Sequence, residues 1–471
     1  MEKIKKWFPL GINCLLLFSL IVVLSSCFSP YAEDEATVTI SLGGNTAGRM
    51  AYGPGEPGYP NVSDLRFEIV FTPTGSSGSR KTITADGPRT DRIRGTVAPG
   101  VYDITMNVYL RVGDGHNYLY ASTSVTPGAP VLSRTIGPGQ NQIMISVGFN
   151  ADVRGNGTEA NPFKVYDEES MKMVGRGTGD FADWDRGSHY ILIRDIVLTD
   201  NWTPIGINPF TAFYGSFDGN GFTISGLNIN SNLDNVGLFG YITTSANSIV
   251  KNLRVIGNVT STGYGAVGGI VGVNQGRVEN CRSDVNVSGN DNVGGIVGNN
   301  GPNPGGIIQN SYATGSVTGN DSVGGIVGYN LNGGRVVNCY YDGPIITVSI
   351  DGGGGIVGAN SSPNIVRNSV ALNARIDDGN VFMGRIAGGA NGTFTNNFGL
   401  FNMSVGGVLV SSNNPNDANG ANVTLANSHT VGWWTTSTPT GPGWTIHSNR
   451  AQSSEASPWY WGGGRPRLWF E

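Results

Sequence analysis

Apolar and polar positions in this chain follow a long rhythm, not a helical one. Between Val236 and Gly388 one short apolar phrase returns six times: VGLFG at 236–240, VGGIVG at 267–272, 293–298 and 323–328, GGGIVG at 353–358, and a worn copy, MGRIAG, at 383–388. The closing glycines, Gly240, Gly272, Gly298, Gly328, Gly358 and Gly388, set a period close to 30 residues. A fixed period of that size marks a repeat architecture. Each phrase is followed by a short run ending in asparagine. These asparagines, Asn252, Asn280, Asn310, Asn338, Asn368 and Asn396, step by 28, 30, 28, 30 and 28.

A run such as Gly-Gly-Ile-Val-Gly is too short and too glycine-rich for a helix. Bounded by Asn, Asp, Gly and Ser, it reads as a brief strand closed by a turn. One copy cannot bury its Ile and Val alone, whereas stacked coils cover one another. Stacking also pairs backbone groups with the coils above and below, at about 4.8 Å per step. Asparagines at one position per coil then bond up the stack as an amide ladder. The glycines suit corners with positive φ or a close approach of two backbones. The expected fold is all-β: a parallel β-solenoid of about 30-residue coils.

These repeats resemble the GLUG family of bacterial surface proteins, named for a Gly-Leu-x-Gly core. Gly237-Leu238-Phe239-Gly240 carries that core as written, and the later copies replace Leu with Ile. The resemblance extends from Gly155 to the end of the sequence and implies a surface protein.

The chain before the repeats divides differently. Lys3, Lys5 and Lys6 precede an apolar run from Leu15 to Leu24, too short to span a bilayer comfortably, so 1–26 reads as a secretory signal. It ends in Leu24-Ser25-Ser26-Cys27, which resembles the lipobox of bacterial lipoproteins. That resemblance implies acyl chains on Cys27, a durable membrane anchor, and residence at the outer membrane or cell surface. A tether over 27–36 leads to a segment, 37–150, without the long period. Its alternating runs, such as LRFEIVF at 65–71 and VYDITMNVYL at 101–110, predict an antiparallel β-sandwich. Ala98-Pro99-Gly100-Val101-Tyr102 resembles the Pro-Gly-x-Tyr turn of Ig-like or carboxypeptidase-regulatory-like modules.

The solenoid, expected over 151–400, needs closed ends. Asp167 can N-cap a short helix near 167–174 at its start. Residues 401–471 form the last coil and a C-terminal cap rich in tryptophan: Trp433, Trp434, Trp444, Trp459, Trp461 and Trp469. These six read as a hydrophobic lid on the last coil; the competing reading has some of them stacking on sugar rings.

Charge and chemistry narrow the function. Only 13% of the residues are charged, against a usual quarter. Residues 236–400 hold eight basic and eight acidic residues, and a neutral, weakly charged surface argues against nucleic-acid binding. Cys281 and Cys339 lie two coils apart, too far for a disulfide, and are expected as free thiols in the core. His116, His189, His429 and His447 form no His-Glu-x-x-His motif, although some GLUG-bearing relatives are metallopeptidases. Asp291, Asp321 and Asp351 each stand seven residues before a repeat glycine, and Asp234 stands six before its own. That column reads as turn residues bonding their own backbone. It could offer oxygens to Ca²⁺, but one Asp per coil supplies too few ligands. No catalytic residue, metal or cofactor is therefore expected. The favoured reading is a monomeric, lipid-anchored scaffold or adhesin that displays the solenoid to an extracellular protein, a glycan or a neighbouring cell. The alternative is a carbohydrate-active β-helix, a polysaccharide lyase or hydrolase.

Overall fold

The computed structural model describes residues 36–42, 65–75, 79–86, 92–111, 117–122, 132–145, 148–149, 155–178, 181–245, 247–301, 305–377, 382–437 and 439–471. The expected leader, Cys27, the tether before Ala36, and His116 lie outside the described residues. The chain divides into two compact units at Val153/Arg154.

In the first unit, alternation along the strands sorts side chains to one face. Leu65, Phe67, Ile69 and Phe71 are buried along Leu65–Pro73, and Tyr102, Ile104, Met106 and Val108 along Gly100–Arg111. These two strands pair antiparallel at the heart of a six-stranded sheet. A second sheet orders Arg92–Val97, Ala36–Leu42 and Gly139–Ile145. Its last pair is parallel, a departure from the purely antiparallel expectation that a long connection between the two strands permits. Tyr102 anchors the Pro-Gly turn by donating from Oη to Ala98 O at 3.0 Å.

The second unit is a parallel β-solenoid. Among the described residues its coils build three sheets, of nine, six and seventeen strands. The nine-stranded sheet begins at Phe163–Val165 and ends at Thr393–Thr395, with every pairing parallel. Its central positions stack apolar on apolar: Val250 on Val278, then Ile308, Val336, Val366 and Phe394. All of these are buried.

The repeat phrase is not one strand closed by a turn, as the sequence suggested. Its first half, Val267–Gly268, belongs to the seventeen-stranded sheet, and its second half opens Val271–Asn274 of the six-stranded sheet. Between them Gly269 and Ile270 turn a corner, with Ile270 fully buried. The phrase is thus a corner whose isoleucine plugs the core.

Of the two roles open to the closing glycines, only close approach is realised. None of them has positive φ. A Cβ on Gly272 would lie 2.6 Å from Gly240 O of the preceding coil. Positive φ falls on the asparagines instead: Asn252, Asn280, Asn310, Asn338, Asn368 and Asn396 all lie between 50° and 58°. Asparagine tolerates this left-handed region better than other side chains.

Both ends of the stack are closed. At the start, the helix Glu168–Met173 is capped by Asp167, whose Oδ1 accepts from Ser170 N at 2.7 Å. Beside it Phe163, Phe181, Trp184 and Tyr190 pack ring on ring. At the far end the worn phrase, MGRIAG, has a purpose. Arg385 replaces the first corner residue, which is Gly269, Gly295, Gly325 or Gly355 in other coils, and it is fully buried. Its guanidinium donates to Gly399 O, Leu400 O, Gly420 O and Asn422 Oδ1 at 2.6–3.1 Å. It thereby holds the segment that covers the last coil, where Ile386 N donates to Ala418 O. Burial brings its pKa down to about 10.

The tryptophan-rich tail is therefore not the lid of the last coil. It runs back along the flank of the stack. Trp433 packs against Phe398, Trp444 Nε1 donates to Asn368 O, Tyr340 Oη donates to Pro466 O, and Phe470 rests on Gly221. Trp434, Trp444 and Trp459 are buried, while Trp433, Trp461 and Trp469 are partly so. The flank they cover is aromatic because it is covered: Tyr312 and Tyr340 stack at 4.5 Å beneath them.

A candidate ligand groove between flank and tail

The asparagine ladder forms along one corner. Asn280 Nδ2 donates to Asn252 Oδ1 at 3.1 Å, and Asn338, Asn368 and Asn396 each donate to the preceding member at 3.2, 3.1 and 3.0 Å. The file is interrupted between Asn280 and Asn310, because Asn280 Oδ1 is buried without a partner and its Nδ2 is drawn to Glu455 O of the tail as well. A second ladder escaped the sequence reading. Asn274 donates to Asn300, Asn300 to Asn330 and Asn330 to Asn360, at 2.8–2.9 Å. This ladder points up the stack and the first points down it. Its signal was legible: an asparagine two residues after Gly272, Gly298, Gly328 and Gly358. Ala390 takes that place in the next coil, and Asn360 Nδ2 is left unpartnered.

The thiols of Cys281 and Cys339 are buried and free. Burial pushes both up, that of Cys339 to about 12. They alternate with serines: Cys281 N donates to Ser311 Oγ and Cys339 N to Ser369 Oγ.

The aspartates stack in register, Asp291 beside Asp321 and Asp321 beside Asp351, within strands and not in turns. Only Asp351 bonds its own chain's next N–H, at Gly352; Asp321 accepts from Ser322 Oγ, and Asp234 accepts from Tyr264 N one coil on. The corner here is made by Asn292, Ser322 and Gly352, which follow the aspartates and carry the positive φ. Burial and the Asp321 charge raise the pKa of Asp291. Among the described residues no group of three or more His, Cys, Asp or Glu could hold a metal ion. His189 Nδ1 lies 2.7 Å from Ser216 Oγ and His447 Nε2 lies 2.8 Å from Ser457 Oγ.

Where the tail approaches the first coils it leaves a cavity of about 640 Å³. Arg254 and Arg282 line it from the flank; Arg450, Tyr460 and Arg467 line it from the tail. Asp284 braces the flank across three coils: it accepts from Arg282 Nε and Arg254 Nε at 2.8 Å and from Thr314 Oγ1 at 2.5 Å. Burial alone would raise its pKa, but hydrogen bonds from Arg282 and Thr314 and the arginine charges outweigh that and hold it below the usual range. Glu471 ties the tail down, accepting from Tyr312 Oη at 2.6 Å and from Arg282. Sequence reasoning missed this site, since its lining runs from Asp195 to Glu471 and its residues are far apart in the chain. The column Arg254, Arg282, Tyr312, Tyr340, two residues past each ladder asparagine, was the available signal.

Comparison with known proteins agrees with this architecture. The GLUG motif matches residues 263–288, 289–318 and 319–349, so the chain carries three consecutive GLUG repeats on its β-solenoid. Halomucin of Haloquadratum walsbyi is 46% identical over 101 residues, 21% of this chain and 1% of halomucin. A protein of Evansella cellulosilytica named as a Gly-rich membrane protein is 32% identical over 190 residues, 32% of this chain and 21% of that protein. The chain thus spans about a fifth of the Evansella protein and 1% of halomucin. A crystal structure from Bacteroides ovatus, named as an immunoglobulin A1 protease, aligns over 67% of this chain and 95% of its own, with a TM-score of 0.48 and 20% identity. Among the described residues no helix is long and apolar enough to cross a membrane.

Proposed function

We propose that this GLUG-repeat protein is a lipid-anchored scaffold at the bacterial surface, held by acyl chains on Cys27, whose solenoid binds an extracellular partner. The observation that carries the reading is the contrast between inward and outward columns. Inward positions repeat from coil to coil, as in Val250, Val278 and Ile308, while the outward column beside them changes, as in Ile249, Arg277 and Ile307. A rigid interior with a variable exterior is what display of a binding face requires. The name of the Evansella relative supports a membrane location. The region before the solenoid serves as an Ig-like spacer in this reading.

Catalysis on carbohydrate is the less favoured reading. It would draw on exposed tryptophan faces or on converging carboxylates. Trp434, Trp444 and Trp459 are instead buried against the flank, and the aspartates stand in single file. The test is fractionation of bacteria expressing the full chain or its Cys27→Ala variant, with protease added to intact cells. The unmodified chain should follow the membrane and be cut from outside, and the variant should be released. A protease-protected chain, or a variant that stays with the membrane, would refute the reading.

A further inference from the structure

We infer that the groove between flank and tail is a binding site for a carboxylated sugar chain, one built of uronic acid units. The inference names the ligand class that the display reading leaves open and rests on that reading only for where the ligand is met.

Two carboxylate side chains line the groove, Asp195 and Glu471, and Asp284 stands behind its arginines. Asp195 Oδ1 accepts from Thr223 N at 2.7 Å, both oxygens of Asp284 accept from arginines, and the two oxygens of Glu471 accept from Arg282 and from Leu468 N. Four guanidiniums line the same groove. Those guanidiniums are not used up. Arg254 bonds Asp284 through Nε and Nη2, which leaves Nη1. Arg282 uses Nε and Nη1, and Arg467 uses Nε and Nη1, which leaves Nη2 of each. Arg450 is held only through Nε, to Trp469 O at 2.9 Å, which leaves both terminal nitrogens. Among the described residues none of these terminal nitrogens has a protein acceptor.

A site lined by four arginines with spare planar donors suits an anion. Guanidinium forks fit a carboxylate two bonds at a time. Phe222, Tyr460 and Phe470 add aromatic surface to the same cavity, suited to the apolar face of a sugar ring. The volume lies within the range of small-ligand pockets. Arg254 and Arg282 stand in register on adjacent coils, about 4.8 Å apart along the stack, so successive acidic rings meet successive arginines. A carboxylate carried on a pyranose ring satisfies both halves of the lining; a bare anion satisfies one.

The test is calorimetric titration of the full chain in mild detergent with an oligogalacturonate, its neutral oligogalactoside counterpart, and inorganic phosphate. Oligogalacturonate should bind, more weakly as salt is added, and the neutral sugar should not. Arg450→Gln should weaken binding about tenfold, the loss of one charge-assisted contact. That side chain holds one backbone oxygen, so tryptophan fluorescence should stay unchanged; Arg254→Gln gives a second reading from the flank. No heat with oligogalacturonate, equal binding of the neutral sugar, phosphate binding as tightly as the oligomer, or an Arg450→Gln variant that titrates like the parent would each overturn the site. None of these outcomes bears on the fractionation test above.

Discussion

Asn338 combines two demands that few side chains meet together. Its backbone turns the corner at φ 54°, and its amide donates to Asn310 and accepts from Asn368. Alanine there would lose both bonds and strain the left-handed backbone, whereas glycine would lose the bonds alone. Asn338→Ala should destabilise the solenoid by about 2–3 kcal/mol, and Asn338→Gly by clearly less, as read by denaturant unfolding. Equal losses would show that the conformation is unimportant. The buried thiols give a second prediction at this scale. Cys281 and Cys339 should resist a thiol-directed reagent at pH 8 in the folded chain and react when it is unfolded, checked by peptide mass spectrometry, because burial holds them protonated.

At the scale of elements, the two devices that finish the stack are separable. Arg385 fastens the covering segment over the last coil, while the tail braces the flank. Arg385→Leu would leave several carbonyls of 399–422 buried without a donor, at about 1–3 kcal/mol each. Hydrogen exchange should accelerate over 398–423 first and leave the coils near Val250 protected. Trp459→Ala removes a ring stacked on Trp444 at 4.8 Å and packed near Tyr340, and should cost about 3–5 kcal/mol. Its exchange signature should fall along the flank at Tyr312 and Tyr340 and not at the end of the stack. If both variants loosened the same strands, the division between end cap and flank brace would be wrong.

At the scale of the solenoid as a whole, few charges act, and the ion pairs include some that join neighbouring coils to each other and coils to the tail. Asp284 has a depressed pKa in the fold, and its unfolded value is near 3.9. The stability it contributes is therefore complete above about pH 4 and lost as pH falls through the folded value. Asp284→Asn should lower stability at pH 7 and flatten its decline below about pH 4, measured by thermal unfolding across pH. A variant with the parent's full acid sensitivity would remove Asp284 from the account.

Periodicity alone determined that this chain forms a parallel β-solenoid, because stacking demands that equivalent residues recur at one interval, and the interval is written in Gly240 to Gly388 and Asn252 to Asn396. The same logic made the inward valines and the free cysteines readable. Two features were present in the letters and went unread: the second asparagine file at Asn274, Asn300, Asn330 and Asn360, and the meaning of Arg385 in place of glycine. The course of the tail was not written there at all. A tryptophan-rich segment needs an apolar surface to cover, and its composition does not say whether that surface is the end of the stack or its side. Only tertiary structure decided for the side, by completing Arg385 with the 399–422 carbonyls and leaving Tyr312 and Tyr340 to be buried by the tail. The groove exists for the same reason: its arginines are far apart in sequence and become neighbours only when the tail folds back across the coils.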